Sequence, residues 1–165
     1  MRSSSLSGIL FAALAILVLQ TAQATPAKAS EPLFTLTPNS GTSVGVTDSD
    51  LTEIGSTEIK THLVGESEDI ATVRGVLFSK LLDHFNVSAD RMLVTGLDGY
   101  SAEIPVEELQ NYPVLIAIEI NGDRLSVRSK GPSWVVYPFT DYPEIHDQLR
   151  EARSVWQIAD ISVLQ

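Results

Sequence analysis

Tyr112-Pro113-Val114-Leu115-Ile116-Ala117-Ile118-Glu119-Ile120-Asn121-Gly122-Asp123-Arg124-Leu125-Ser126-Val127-Arg128 is the stretch on which the reading of the fold turns. Val114 to Ile120 is apolar at every position except Glu119. A run this short, closed by a turn dipeptide, suits a central strand better than a helix. Asn121-Gly122 is a strong hairpin signal, because both residue types tolerate the positive φ of a type I′ turn. The pair predicts an antiparallel partner strand over Arg124 to Arg128.

The pattern extends in both directions from this hairpin. Toward the N-terminus, Phe34-Thr35-Leu36-Thr37 alternates as a strand does, Asn39-Ser40-Gly41 is a turn, and Thr42 to Val46 can return as a second strand. Thr47 or Ser49 can cap a short helix that begins near Asp50-Leu51. Glu58 to Val64 has strand character. Val76, Leu77, Phe78, Leu81, Leu82 and Phe85 recur at helical spacing, with Ser79, Lys80, Asp83 and His84 opposite, and predict one amphipathic helix. Met92 to Thr95 is a short strand and Gly96 to Gly99 a loop. Ser101 to Ile104 alternates again, and Pro105 opens a brief helix over Val106 to Gln110.

Toward the C-terminus, Gly131-Pro132 breaks the chain and Ser133 to Tyr137 forms a further strand. Alternation puts Trp134 and Val136 on one of its faces, and Val135 and Tyr137 on the other. Tyr142-Pro143 opens a polar stretch, and Val155 to Val163 is the last strand. Strands and helices do not alternate regularly. The expected fold is α+β: a single domain of mixed β-sheet with short helices.

Residues 1–24 read as a secretory signal peptide. Arg2 supplies the positive end, Gly8 to Leu19 the apolar run, and Ala22-Gln23-Ala24 the small-x-small cleavage pattern. The apolar run is about a dozen residues, short of the ~20 that span a bilayer. Residues 25–32 read as a linker and 33–165 as the domain. The expected location is periplasmic. The chain has no cysteine, so it can form no disulfide, carry no acyl-cysteine anchor and offer no thiolate nucleophile or ligand. Its 21 acidic residues stand against 11 Lys and Arg, a balance that argues against nucleic acid and anionic lipid as partners.

Several chemistries are missing. The sequence has no Gly-x-Ser-x-Gly elbow and no phosphate-binding loop. His62, His84 and His146 lack metal-ligand spacing. Glu66, Glu68 and Asp69 lack the regular spacing and glycine of a dedicated calcium loop and read as a solvated acidic loop. A binding site is what remains. Tyr100, Trp134, Tyr137, Tyr142 and Trp156 supply aromatic surface, with Arg128 and Lys130 beside one stretch of it. Trp156, followed by Gln157-Ile158, is expected in the core; Trp134 is open between core and site.

Four blocks in order carry a resemblance. They are Gly99-Tyr100-x-x-x-Ile104-Pro105; Tyr112-Pro113-Val114-Leu115-Ile116-Ala117; Asn121-Gly122-x-x-Leu125-Ser126-Val127-Arg128; and Lys130-Gly131-Pro132-x-Trp134-Val135-Val136-Tyr137-Pro138. Asp141-Tyr142-Pro143-Glu144 and Val155-Trp156-Gln157-Ile158 continue them. From about Phe34 onward the chain resembles the molybdopterin-dependent, sulfite-oxidase-type oxidoreductase domain, and within it the small exported branch that includes periplasmic pterin-binding receptors. The resemblance implies a mixed α+β sheet fold. In the family's enzymes a cysteine ligates molybdenum, from a region that falls here near Thr61-His62-Leu63-Val64-Gly65. Only His62 could replace it, and neutral imidazole is a poor substitute for a thiolate.

The resemblance therefore implies a pterin as ligand without molybdenum, and a non-catalytic receptor that acts through a membrane-bound cyclic di-GMP cyclase or phosphodiesterase. It makes Trp134 the residue that stacks on the pterin. It places Tyr100 near the centre of the site and Arg128, Ser133, Tyr137 and Asp141 around it. Asp98, Glu103 and Asp141 remain open as the carboxylate that reads the pterin's edge. Two alternatives stand beside this reading: a molybdopterin-dependent oxidoreductase subunit and a ligand-independent interaction module. The signal peptide has a single Arg2 and is Sec-like, whereas proteins exported with this cofactor already loaded usually carry a twin-arginine signal.

Overall fold

The computed structural model describes residues 31–67 and 69–164. The expected signal peptide, and the expected linker as far as residue 30, lie outside the described residues. The chain runs through β1 (Phe34–Thr37), β2 (Val44–Val46), α1 (Asp48–Ile54), β3 (Thr57–His62), β4 (Ile70–Leu77), α2 (Phe78–His84), β5 (Arg91–Gly96) and β6 (Ser101–Pro105). It continues through α3 (Val106–Asn111), β7 (Leu115–Ile120), β8 (Asp123–Arg124), β9 (Trp134–Val136), α4 (Gln148–Arg153) and β10 (Ile158–Val163). One sheet has the order β2-β1-β10-β5-β6; the other has β3-β4-β7-β8, with β9 also on β7. β1 and β10 pair in parallel and their neighbours antiparallel, so the sheet is mixed and the α+β class is as expected.

Local chemistry explains most of the boundaries. Thr47, not Ser49, caps α1. Its backbone N–H donates to Asp50 Oδ2 at 2.7 Å, and its hydroxyl accepts from Asp50 N at 3.4 Å. Such a reciprocal cap is worth about 1 kcal/mol. The Thr47 side-chain hydrogen bond holds the Asp50 carboxyl below its ordinary pKa.

The helix expected from Val76 starts later. Val76 and Leu77 end β4, and α2 begins only at Phe78, burying Phe78, Leu81 and Leu82. The reason is Gly75. A Cβ there would stand 2.1 Å from Ile116 O, so only glycine lets β7 lie this close to β4. Where strand runs directly into helix, the two periods merge and Val76 and Leu77 mimic helical spacing.

The hairpin at Asn121-Gly122 forms, but its return strand is only Asp123–Arg124. Leu125 turns inward, and Ser126 takes up Ser129 in a reciprocal cap that winds Val127–Ser129 into a 3-10 turn. Side-chain bonding to the backbone has replaced the sheet ladder here.

β9 is buried on both faces. Val135 and Tyr137 join the large core with Met92, Ile104, Phe78 and Ile116. Trp134 and Val136 join a smaller cluster on the other face of the sheet with Leu63, Val73, Leu115 and Leu125. The expected alternation is observed, and each face has its own core. β9 also joins the two sheets. Val135 N donates to Val155 O at 2.8 Å, and Ile158 N to Ser133 O at 3.2 Å, around a bridge between Trp134 and Trp156.

Candidate ligand pocket

This seam between the sheets creates the site. Trp134 is 1% exposed and its indole N–H donates to Ser154 O at 3.0 Å. Trp156 was expected in the core, but it is 37% exposed. The rings meet edge to face with centroids 6.3 Å apart. Lys130, held at φ 62° after the 3-10 turn, sets its ammonium 4.6 Å from the Trp134 centroid and 5.1 Å from that of Trp156. The same ammonium donates to Val64 O at 3.2 Å and pairs with Glu66 at 2.7 Å.

Beside Trp156 lies a cavity of about 390 Å3, walled by Val64, Asp98, Tyr100, Glu151 and Val155. Tyr100 is half exposed, and its hydroxyl donates to Ala152 O at 2.8 Å, which fixes the ring as a wall. Tyr100 N donates to Asp98 Oδ1 at 2.9 Å. The other oxygen of Asp98 has no partner among the described residues. A Cβ at Gly96 would stand 2.9 Å from Trp156 O and 3.0 Å from Asp98 Oδ1. Glycine there lets the carboxylate and the tryptophan backbone converge.

A second cavity, of about 370 Å3, shares Val64 and Glu151 with the first and adds His62, Phe139 and His146. His146 Nε2 lies 3.0 Å from Glu151 Oε1, and its ring stacks on Phe139 with centroids 4.5 Å apart. Behind Trp134 is a third cavity of about 400 Å3, bordered by Leu63, Glu66, Asp123, Arg124 and Lys130. The loop after β3 thus borders all three. Among the described residues no group of three or more His, Asp or Glu is placed to hold a metal ion.

The wall supplied by α4 is held from below. Glu108 of α3 is buried, and its Oε1 takes Arg153 at 2.5 Å and Arg150 at 3.0 Å. Its Oε2 accepts the Tyr137 hydroxyl at 3.1 Å. Burial, and then the Glu108 charge, push the Tyr137 hydroxyl well above its ordinary pKa. Asp147 caps α4 by accepting from Arg150 N at 2.9 Å, a bond that lowers the Asp147 pKa. Arg153 also donates to Glu103 O at 2.8 Å, tying α4 to the outer strand β6.

The residues singled out from sequence are only partly brought together. Tyr100 lines the first cavity and His62 the second. Trp134 is buried, borders the third cavity and does not line the first. Tyr137 is fully buried, and Ser133 is buried beneath the seam. Arg128 and Asp141 are exposed and line none of these three cavities. Of the three open carboxylates, Asp98 faces the first cavity, whereas Glu103 pairs with Arg91 at the surface. Sequence reasoning missed Glu151 and the whole of α4, which lies in the stretch read only as polar. It also placed Trp156 on the wrong side of the surface. The sequence signal for α4 was Asp147, a helix-capping type ahead of Gln148-Leu149-Arg150-Glu151.

Two sheets thus meet in a seam, with a cleft against the loop after β3, in a single α+β domain. The model of the oxidoreductase molybdopterin binding domain matches residues 50–140, and the chain belongs to that family. Among solved structures, the sulfane dehydrogenase SoxCD from Paracoccus pantotrophus has the same fold, with a TM-score of 0.58 at 15% identity. The match covers 80% of this chain and 38% of that one. No curated protein sequence matches the chain.

The family implies a pterin-related ligand. The metal-holding part of such a cofactor does not fit the residues present. In the expected ligand region Thr61 turns inward and donates to Tyr137 O at 3.0 Å, His62 offers an imidazole and not an anionic thiolate, and the chain has no thiol.

Proposed function

We propose that the protein is an exported, non-catalytic receptor for a pterin, which reports its occupancy to a membrane-bound cyclic di-GMP enzyme. The observation that carries this reading is the convergence of Trp156, Tyr100 and Asp98 on one cavity. A partly exposed indole offers a stacking plane for a flat heterocycle. A carboxylate with one oxygen uncommitted can accept from the ring N–H and amino group of a pyrimidinone edge, and charge assistance makes such bonds strong. The stacking role that the resemblance implies for Trp134 passes to Trp156, because Trp156 lines this cavity and Trp134 does not. The missing thiolate supports a ligand without molybdenum. The exported location rests on the signal peptide, and the signalling partner on the resemblance to exported pterin receptors.

Calorimetric titration with a tetrahydropterin, with molybdenum analysis of the same sample, tests the reading. Saturable one-site binding by metal-free protein is expected. Absence of binding, or stoichiometric molybdenum in protein exported by its own route, overturns it. Capture of a cyclic di-GMP enzyme from detergent-solubilised membranes, altered by added pterin, is the expected result for the partner. Capture indifferent to pterin favours a ligand-independent interaction module.

A further inference from the structure

β3 ends the second sheet with an open edge. β4 pairs with one side of it, and among the described residues no strand pairs with the other. Asn121 N donates to Thr72 O at 2.7 Å and Phe78 N to Val114 O at 2.9 Å. The even-numbered residues of β4 thus aim their backbone groups at β7, on both sides of the bulge. Its odd-numbered residues bond β3, where Val73 faces Ile59 and Ala71 faces Thr61. Glu58 and Lys60 therefore point their N–H and C=O groups outward. Among the described residues no backbone group outside the sheet ladder bonds to them, and both residues are exposed. The other sheet ends differ. β2 and β8 are shorter, and β6 ends on Pro105 and gives Glu103 O to Arg153.

We propose that this edge pairs with the β3 edge of a second copy of the chain, antiparallel about a two-fold axis centred on Ile59. Opposed residues in an antiparallel ladder either both bond each other or both point away, so a strand meeting its own copy must centre on a residue. Centring on Glu58 or on Lys60 sets like charges directly opposite, which is destabilising. Centring on Ile59 sets Glu58 opposite Lys60 on both sides of the axis, each pair exchanging both backbone bonds, and Thr57 opposite Thr61. Ile59 then meets its own copy at a non-hydrogen-bonded position, where Cα atoms stand about 4.5 Å apart and side chains lie closest. Ile59 is half-buried against the smaller apolar cluster, and the second isoleucine extends that cluster across the interface. The interface is independent of the pterin reading.

A ladder this short is smaller than a standard interface, and a net charge of -10 repels a second copy. The dimer should therefore dissociate at about 100 µM in about 0.15 M salt, read by sedimentation velocity of the purified protein. Glu58→Lys and Lys60→Glu should each weaken it about tenfold, since either change sets like charges opposite on both sides of the axis. An equimolar mixture of these two variants should regain the unaltered affinity, because each copy then meets its opposite charges. Ile59→Cys should cross-link to a disulfide dimer under mild oxidation, and Asp83→Cys on the exposed side of α2 should not; the chain has no cysteine of its own to confuse the result. Circular dichroism checks that each variant is folded, and the exposed charge variants carry the test if Ile59→Cys misfolds. A protein that stays monomeric up to about 1 mM overturns the inference. So does a dimer indifferent to both charge variants, or a mixture that associates no more tightly than either variant alone.

Discussion

Trp134 and Trp156 face each other across one bridge, share one lysine, and end in opposite environments. Trp134 packs into the cluster of Leu63, Val73 and Leu125 and is buried at 1% exposure. Trp156 has Tyr100, Asp98 and α4 on its far side, with space between. Trp134 opens β9 and Trp156 lies two residues ahead of β10, each next to a valine, and their segments alone do not say which ring is open. What differs is the element packed beyond each ring. One tryptophan therefore serves the fold and the other serves the pocket, and substitutions should split their effects accordingly.

The largest effect should come from the buried member. Trp134→Ala should lower unfolding free energy by about 3–5 kcal/mol, read by denaturant titration, because it empties a closed space and frees Ser154 O. Glu108→Gln comes next, since it leaves Arg153 without its counter-charge and Arg150 with Asp147 alone. A cost of about 2–3 kcal/mol is expected, below that of a fully buried pair because Arg150 reaches solvent. Trp156→Ala should behave in the opposite way to Trp134→Ala: stability should change by about 1 kcal/mol or less. Pterin affinity should fall about tenfold or more in calorimetry, the size of one lost stacking contact. Equal losses of stability and affinity in both tryptophan variants would break the comparison.

The smallest effect concerns the support beneath the pocket. Tyr137→Phe should cost about 1.5 kcal/mol at neutral pH, the lower end for one hydrogen bond to a charged acceptor. The pH dependence is more telling. The folded state holds the Tyr137 proton more tightly than the unfolded state, whose hydroxyl titrates near pH 10. Its contribution is complete below that value and is lost as pH rises above it. Melting curves from pH 9 to 11 (a window of about two units around the free tyrosine value) should show a shallower alkaline fall for Tyr137→Phe than for the unaltered protein.

The legible parts of the fold were those governed by neighbours in sequence. Thr47 could be read as a cap because its partner is three residues away. Asn121-Gly122 could be read as a turn because φ is a local property. The alternation of β9 was legible, but that both of its faces are buried was not. β4 was not legible as a strand, because its apolar end runs straight into the apolar start of α2. α4 was obscured by its charge, since Arg150 and Arg153 look solvated until Glu108 is placed beneath them. For the site, Tyr100 and the carboxylate at Asp98 were within the sequence's reach. Glu151 and the exposure of Trp156 were not.

By itself the sequence determined the α+β class, the central hairpin, the absence of a thiolate and the family to which the chain belongs. Each of these is a matter of residue type, spacing or local conformation. Only the tertiary structure decided which tryptophan is open, which carboxylate faces the cavity, and that Lys130 bridges both indoles to the loop after β3. Those depend on contacts between elements far apart in the chain. Whether a ring is buried is set by what packs on its far side, and no local pattern encodes that.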